Sequence, residues 1–232
     1  MLFAKVGIGQ SANILISGNI SYTYNGLPQF DLLSTNISVS GGCSQSSLPT
    51  YIYTGSDFIG NSYNSSTAPT NAGNYQIIAS ATFSCGTVSS NIISFTIGKA
   101  TPTITVTPGT YTYNGTPQGP GVTETTTGGS TSVPTFNYVG TSGTTYGPSS
   151  TKPTNAGSYQ VTASVVTDAN YLAASSSATA FTIDKATPTI TVTPGTYTYN
   201  GLPQGPGITE TTTGGSTSVP TFNYVGTGGT TY

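Results

Sequence analysis

Sixteen tyrosines, two cysteines, six carboxylates and four lysines are the groups in this 232-residue chain that could do chemistry; His, Trp and Arg do not occur. Without histidine, a serine nucleophile lacks its usual base and acid–base catalysis lacks its commonest group. The acids are Asp31, Asp57, Glu124, Asp168, Asp184 and Glu210. Two carboxylates that hydrolyse a glycoside must flank one bond in one cleft. Glu124 and Glu210 are equivalent positions of two repeats, so they belong to different modules. Calcium needs several carboxylates in a short loop, and no loop here carries two. Asp168, two residues before Asn170, reads as a turn residue rather than a ligand. The chain is therefore expected to be no enzyme and to need no cofactor and no metal.

Cys43 and Cys85 are the only thiols, and their separation of 42 residues is no CxxC metal or redox spacing. In an exported chain they are expected to form a disulfide within one module; two buried free thiols are the plain alternative. Closing such a loop stabilises by about 3–4 kcal/mol in the chain-entropy model. Lys99 and Lys185 sit at repeat boundaries and Lys152 precedes a proline-containing loop, so none reads as buried and poised to crosslink. Tyrosines at alternating positions commonly lie half in the core and half at its rim. Tyr138 and Tyr146, which flank a Gly-containing hairpin, are the candidates for a contact surface on which a sugar could stack.

Charged residues make up 4% of the chain and the net charge is −2, against about a quarter charged in an ordinary domain. The four lysines are scattered, so the basic footprint that nucleic acid requires is missing. No apolar run reaches the roughly 18 residues of a membrane span. Neither nucleic acid nor membrane insertion is expected. Met1 to Gln10 lacks a continuous apolar core of about 7–15 residues and makes a poor signal peptide; if the parent protein is exported, its signal is expected upstream. Thirty Gly and fifteen Pro divide the chain into short pieces rich in Thr, Tyr, Val and Ile. Branched and aromatic side chains of this kind suit a pleated, half-buried surface.

Internal repeats organise these pieces. Lys99–Tyr146 and Lys185–Tyr232 are identical at 45 of 48 positions without a gap, differing only at Thr116/Leu202, Val122/Ile208 and Ser142/Gly228. A diverged copy precedes them. Tyr22–Gly26 matches Tyr111–Gly115, Ala68–Gln76 matches Lys152–Gln160, and Phe95–Pro102 matches Phe181–Pro188. The reading gives modules at 11–98, with both cysteines, and 99–184, and the N-terminal half of a third at 185–232. Each boundary is a Lys-Ala-Thr-Pro segment, whose Pro fixes φ and holds the preceding Thr extended. The joints are expected to be semi-rigid. The unfinished third copy is expected to belong to a longer chain, and to fray or self-associate through an open strand edge.

Within a module, Tyr159, Val161, Ala163 and Val165 alternate with polar residues, as do Ile104/Val106, Tyr111/Tyr113, Phe136/Tyr138 and Phe181/Ile183. This period of two marks strands with one buried face. Pro108-Gly109, Asn114-Gly115 and Asn155-Ala-Gly157 punctuate them as turns. Six or seven short strands in about 85 residues favour tandem small antiparallel β-sandwiches of immunoglobulin-like type, with a β-grasp-like module as the rival. Asn155–Tyr159 resembles the Asp-x-Gly-x-Tyr start of strand F in immunoglobulin domains. That resemblance implies tyrosine corners at Tyr75 and Tyr159, the hydroxyl folding back onto backbone.

The combination of Tyr-Asn-Gly, Pro-Thr-Asn-Ala-Gly-Ser-Tyr, Phe-Thr-Ile and Lys-Ala-Thr-Pro resembles the Gly-rich, MBG-type repeats of large bacterial surface proteins, from about Ser11 onward. Such repeats are common in adhesins of the Bacteroidota type. The resemblance implies an extracellular location, a structural or adhesive role and no catalytic residues to carry over. Two functions fit it. The first is a stalk or spacer that projects a binding tip from the cell, its partners being neighbouring repeats of the same protein. The second is an adhesive module that binds surface glycan or host protein, many weak sites acting together.

Overall fold

The computed structural model describes residues 9–125, 130–211 and 217–227. Every regular element among them is a β-strand. The first repeat contains β1 (Ser11–Gly18), β2 (Ser21–Thr23), β3 (Leu32–Ser40), β4 (Thr50–Asp57), β5 (Ser62–Ser65), β6 (Gly73–Phe83), β7 (Gly86–Ser89) and β8 (Ile93–Gly98). The second contains β9 (Thr103–Val106), β10 (Thr110–Thr112), β11 (Val122–Thr125), β12 (Thr135–Thr141), β13 (Gly157–Val165), β14 (Ala174–Ser175) and β15 (Thr179–Asp184). The third contributes β16 (Thr189–Thr193) and β17 (Gly207–Thr211).

In the first repeat a sheet of order β2-β8-β6-β4-β5, with β7 beside the far end of β6, faces the antiparallel pair β1-β3. The long central strand explains why. Tyr75, Ile77, Ala79, Ala81 and Phe83 alternate inward along β6, each at most 3% exposed. Ile14 and Ile16 of β1 and Phe95 and Ile97 of β8 join them in one core, a two-layer sandwich. Burying each such large apolar side chain is worth about 1.5–3 kcal/mol. β2 runs parallel to β8, while the central β6 is antiparallel to both its neighbours, β4 and β8.

The second repeat uses the same order: β10-β15-β13-β12 with β14 beside β13, and a separate pair β9-β11. β10 again runs parallel to β15, and Tyr159 pairs with Phe181 as Tyr75 pairs with Phe95. In place of a strand matching β5, a single bridge joins Tyr138 and Ser149. Among its described residues the third repeat forms the pair β16-β17. Here equal sequences meet different surroundings: Ile104 and Val106 are 8% and 6% exposed, whereas Ile190 and Val192 are 55% and 54% exposed.

Two compact units emerge. One comprises the described residues up to Thr105 together with Val122–Thr135 and Ala163–Ser177; the other comprises Val106–Gly121, Phe136–Thr162 and the residues from Ala178 onward. In the second unit the core is Tyr138, Tyr159, Val161, Phe181 and Ile183. The first unit includes the loop between β13 and β14.

Candidate functional site

A dense polar cluster of the first unit centres on that loop, and it begins with Asp168. Its Oδ1 accepts from the Asn170 and Tyr171 amides at 2.9 and 2.7 Å, the short-range pattern by which Asp stabilises a turn. Its Oδ2 accepts from the Thr131 amide and the Ser130 hydroxyl, both at 2.8 Å. Partial burial opposes ionisation, but the bonds donated by Thr131, Asn170, Ser130 and Tyr171 outweigh it and hold the carboxyl down to about 2. The Asp168 carbonyl accepts the Lys99 ammonium.

This turn presents Asn170 and Tyr171 to the first repeat. Asn170 Oδ1 accepts from the Ala72 amide at 2.9 Å, and its Nδ2 donates to Asn71 Oδ1 at 3.3 Å. The Ala100 amide donates to the Asn170 carbonyl at 2.9 Å, and the Leu172 amide donates to the Ala100 carbonyl at 2.8 Å. Ala100 and Tyr171 thereby make a parallel bridge. The Tyr171 ring, 1% exposed, meets Tyr24 edge-on at 5.4 Å and joins the first repeat's core. Its hydroxyl finds no hydrogen-bond partner among the described residues. A loop of the second repeat thus clasps the Asn71 turn and the Lys99-Ala100 linker, which is why Ala163–Ser177 falls in the first unit.

The receiving turn is built by its own tyrosine. The Tyr75 hydroxyl donates to the Asn71 carbonyl at 3.0 Å, and the Tyr159 hydroxyl donates to that of Asn155 at 2.7 Å. Burial foremost, then the Asp57 charge, pushes the Tyr75 phenol up to about 12. Gly73 is required for close approach, because a Cβ there would sit 2.6 Å from the Asp57 Cα and 2.8 Å from the Tyr75 hydroxyl.

Cys43 and Cys85 form a disulfide with Cα atoms 5.5 Å apart. It joins the chain just beyond β3 to the chain just beyond β6, so it ties one sheet of the first sandwich to the other. The Ser84 amide, donating to the Ser44 carbonyl at 2.8 Å, continues the tie.

The expected contact surface needs correction at Tyr138. That residue is 0% exposed, stacks on Phe136 and meets Phe181 edge-on, because its position in β12 faces the core. Tyr146 is half-buried, lies edge-on to Tyr159 at 5.8 Å, and donates to the Thr151 carbonyl at 2.8 Å. Its counterpart Tyr63 treats Tyr75 and Thr67 in the same way. Lys99 and Lys152 are also more enclosed than their boundary and loop positions suggest: both are half-buried, and Lys152 donates to the Gly119 carbonyl at 2.8 Å. Among the described residues no three His, Cys, Asp or Glu side chains gather into a group that could hold a metal ion.

The repeated strand order, the tyrosine corners and the 86-residue period meet in one comparison: the family model described as the MBG domain matches residues 102–187. Residues 102–187 are an MBG-type repeat module. The match spans one period and contains the Asp168 loop, Tyr138, Tyr146 and Tyr159. No curated protein matches the chain. Sequence reasoning missed the clasp of this MBG module on the Asn71 turn. The signal was the Asp-x-Asn-Tyr string at 168–171, which the first repeat lacks at the corresponding hairpin.

Proposed function

We propose that the chain is a structural spacer: tandem modules of a secreted or cell-surface bacterial adhesin that hold a binding tip away from the cell. The observation that carries this reading is the clasp. The Asp168–Asn170 cluster joins one repeat to the next, and its side chains are engaged with backbone amides, the Ser130 hydroxyl and the Asn71 side chain rather than offered to a ligand. A joint made this way resists bending better than the Pro-containing linker alone. The MBG module and the Cys43–Cys85 disulfide support an extracellular setting. The role is mechanical and non-enzymatic.

The test is binding by the full chain. A glycan array and a panel of immobilised extracellular host proteins should give no saturable signal. Saturable binding to either would overturn the spacer reading in favour of a multivalent adhesive module.

A further inference from the structure

The groups that receive the Asp168–Tyr171 loop in the first repeat all recur in the second. Asn71, Ala72 and Tyr75 correspond to Asn155, Ala156 and Tyr159; Tyr24 corresponds to Tyr113; Lys99 and Ala100 correspond to Lys185 and Ala186. Three bonds of the scaffold holding them recur. The Tyr24 amide donates to the Gly98 carbonyl at 2.8 Å, and the Tyr113 amide donates to that of Asp184 at 2.8 Å. The Gln29 amide donates to the Pro69 carbonyl at 2.9 Å, and the Gln118 amide donates to that of Pro153 at 2.8 Å. The Tyr75 and Tyr159 hydroxyls both brace their turns.

What differs is the covering. Ala72 is 0% exposed beneath Asn170, whereas Ala156 is only half-buried. Lys99 is half-buried, whereas Lys185 is exposed. The Asn155 turn thus offers the receiving groups of the Asn71 turn without the same cover.

We infer that the Asn155 turn, with Lys185 and Ala186, is a docking surface for an Asp-x-Asn-Tyr loop on a repeat that follows in the same chain. The occupant is fixed by what the first clasp uses. Asn170 Oδ1 reads the amide of the turn, while the backbone of Asn170 and Leu172 reads the linker residue Ala100. Half of the receiving groups therefore lie on the linker that leads into the incoming repeat, which makes the contact one within a chain. A second copy of this chain is a poor occupant, because its own Asp168–Tyr171 loop already holds its own Asn71 turn. The inference does not depend on the spacer reading: a multivalent binding array needs its repeats joined as well.

The experiment extends the full chain by appending a copy of Gly147–Asp184 after Tyr232, which completes a third repeat and supplies the loop. Hydrogen exchange of single amides, read by NMR, is compared with that of the original chain. The Ala156 amide is expected to gain about tenfold protection or more, approaching that of Ala72, and to lose it when Asn170→Ala is placed in the appended copy only. The same substitution at Asn170 itself should release the Ala72 amide by a similar factor. An appended segment that stays unprotected overturns the proposal. So does a folded one that leaves Ala156 exchanging as before, or an Ala156 protection indifferent to the asparagine.

Discussion

Asp168 shows how one residue can have two jobs without any reactant. Its carboxylate closes a turn on its own chain and ties that turn to Ser130 and Thr131, and these bonds are strongest when it is ionised. Its folded value of about 2 lies below the ordinary 3.8. The unfolded chain therefore binds the proton first as pH falls, so this contribution is complete above about pH 4 and disappears towards pH 2. Urea titrations across that range should show stability falling with pH, with a shallower fall in Asp168→Asn. Tyr75 works at the other extreme. Its folded value of about 12 lies above the ordinary 10.0, so stability is lost as pH rises from about 10 to about 12. Tyr171 separates ring from hydroxyl. Tyr171→Ala removes a ring buried against Tyr24 and should cost about 3–5 kcal/mol. Tyr171→Phe removes a buried hydroxyl without a partner among the described residues and should be neutral or stabilising by about 1 kcal/mol. Chemical denaturation of the two variants reads both.

At the scale of elements, the disulfide and the β6 strand do complementary work. β6 carries the inward stripe of the first core, while the Cys43–Cys85 bond holds the ends of β3 and β6 together. Replacing both cysteines by alanine should lower stability by about 3–4 kcal/mol, measured by urea unfolding against the oxidised chain. The strands themselves were legible because alternation along 159–165 has only one reading, a sheet with one buried face. The repeat of 86 residues likewise announced that β9-β11 and β16-β17 would be the same pair. Two things were not legible. Alternation says that Tyr138 lies on one face of β12, but register with β13 decides that this face is the core. The clasp joins Asn170 to Asn71 and Ala72 about a hundred residues away through two polar turns. Such turns carry no hydrophobic period, so Asp168 read as a local turn residue, which it is, and its long-range partners stayed hidden.

For the whole molecule, function follows from repetition and from how repeats are joined. The MBG-type module keeps Tyr138, Tyr159 and Phe181 buried and has its Asp168 loop engaged on the first repeat. The clasp makes a distinct claim: residues of the second repeat help hold the first one folded. Stretching the full, oxidised chain in a single-molecule force experiment tests that claim most directly. The disulfide hides a loop of 42 residues, so the first repeat should release about 140 Å less length than it would when reduced, which identifies its unfolding event. With Asn170→Ala, the account predicts that this event moves to lower force although the substitution lies outside the first repeat. An unchanged unfolding force for the first repeat would contradict the account.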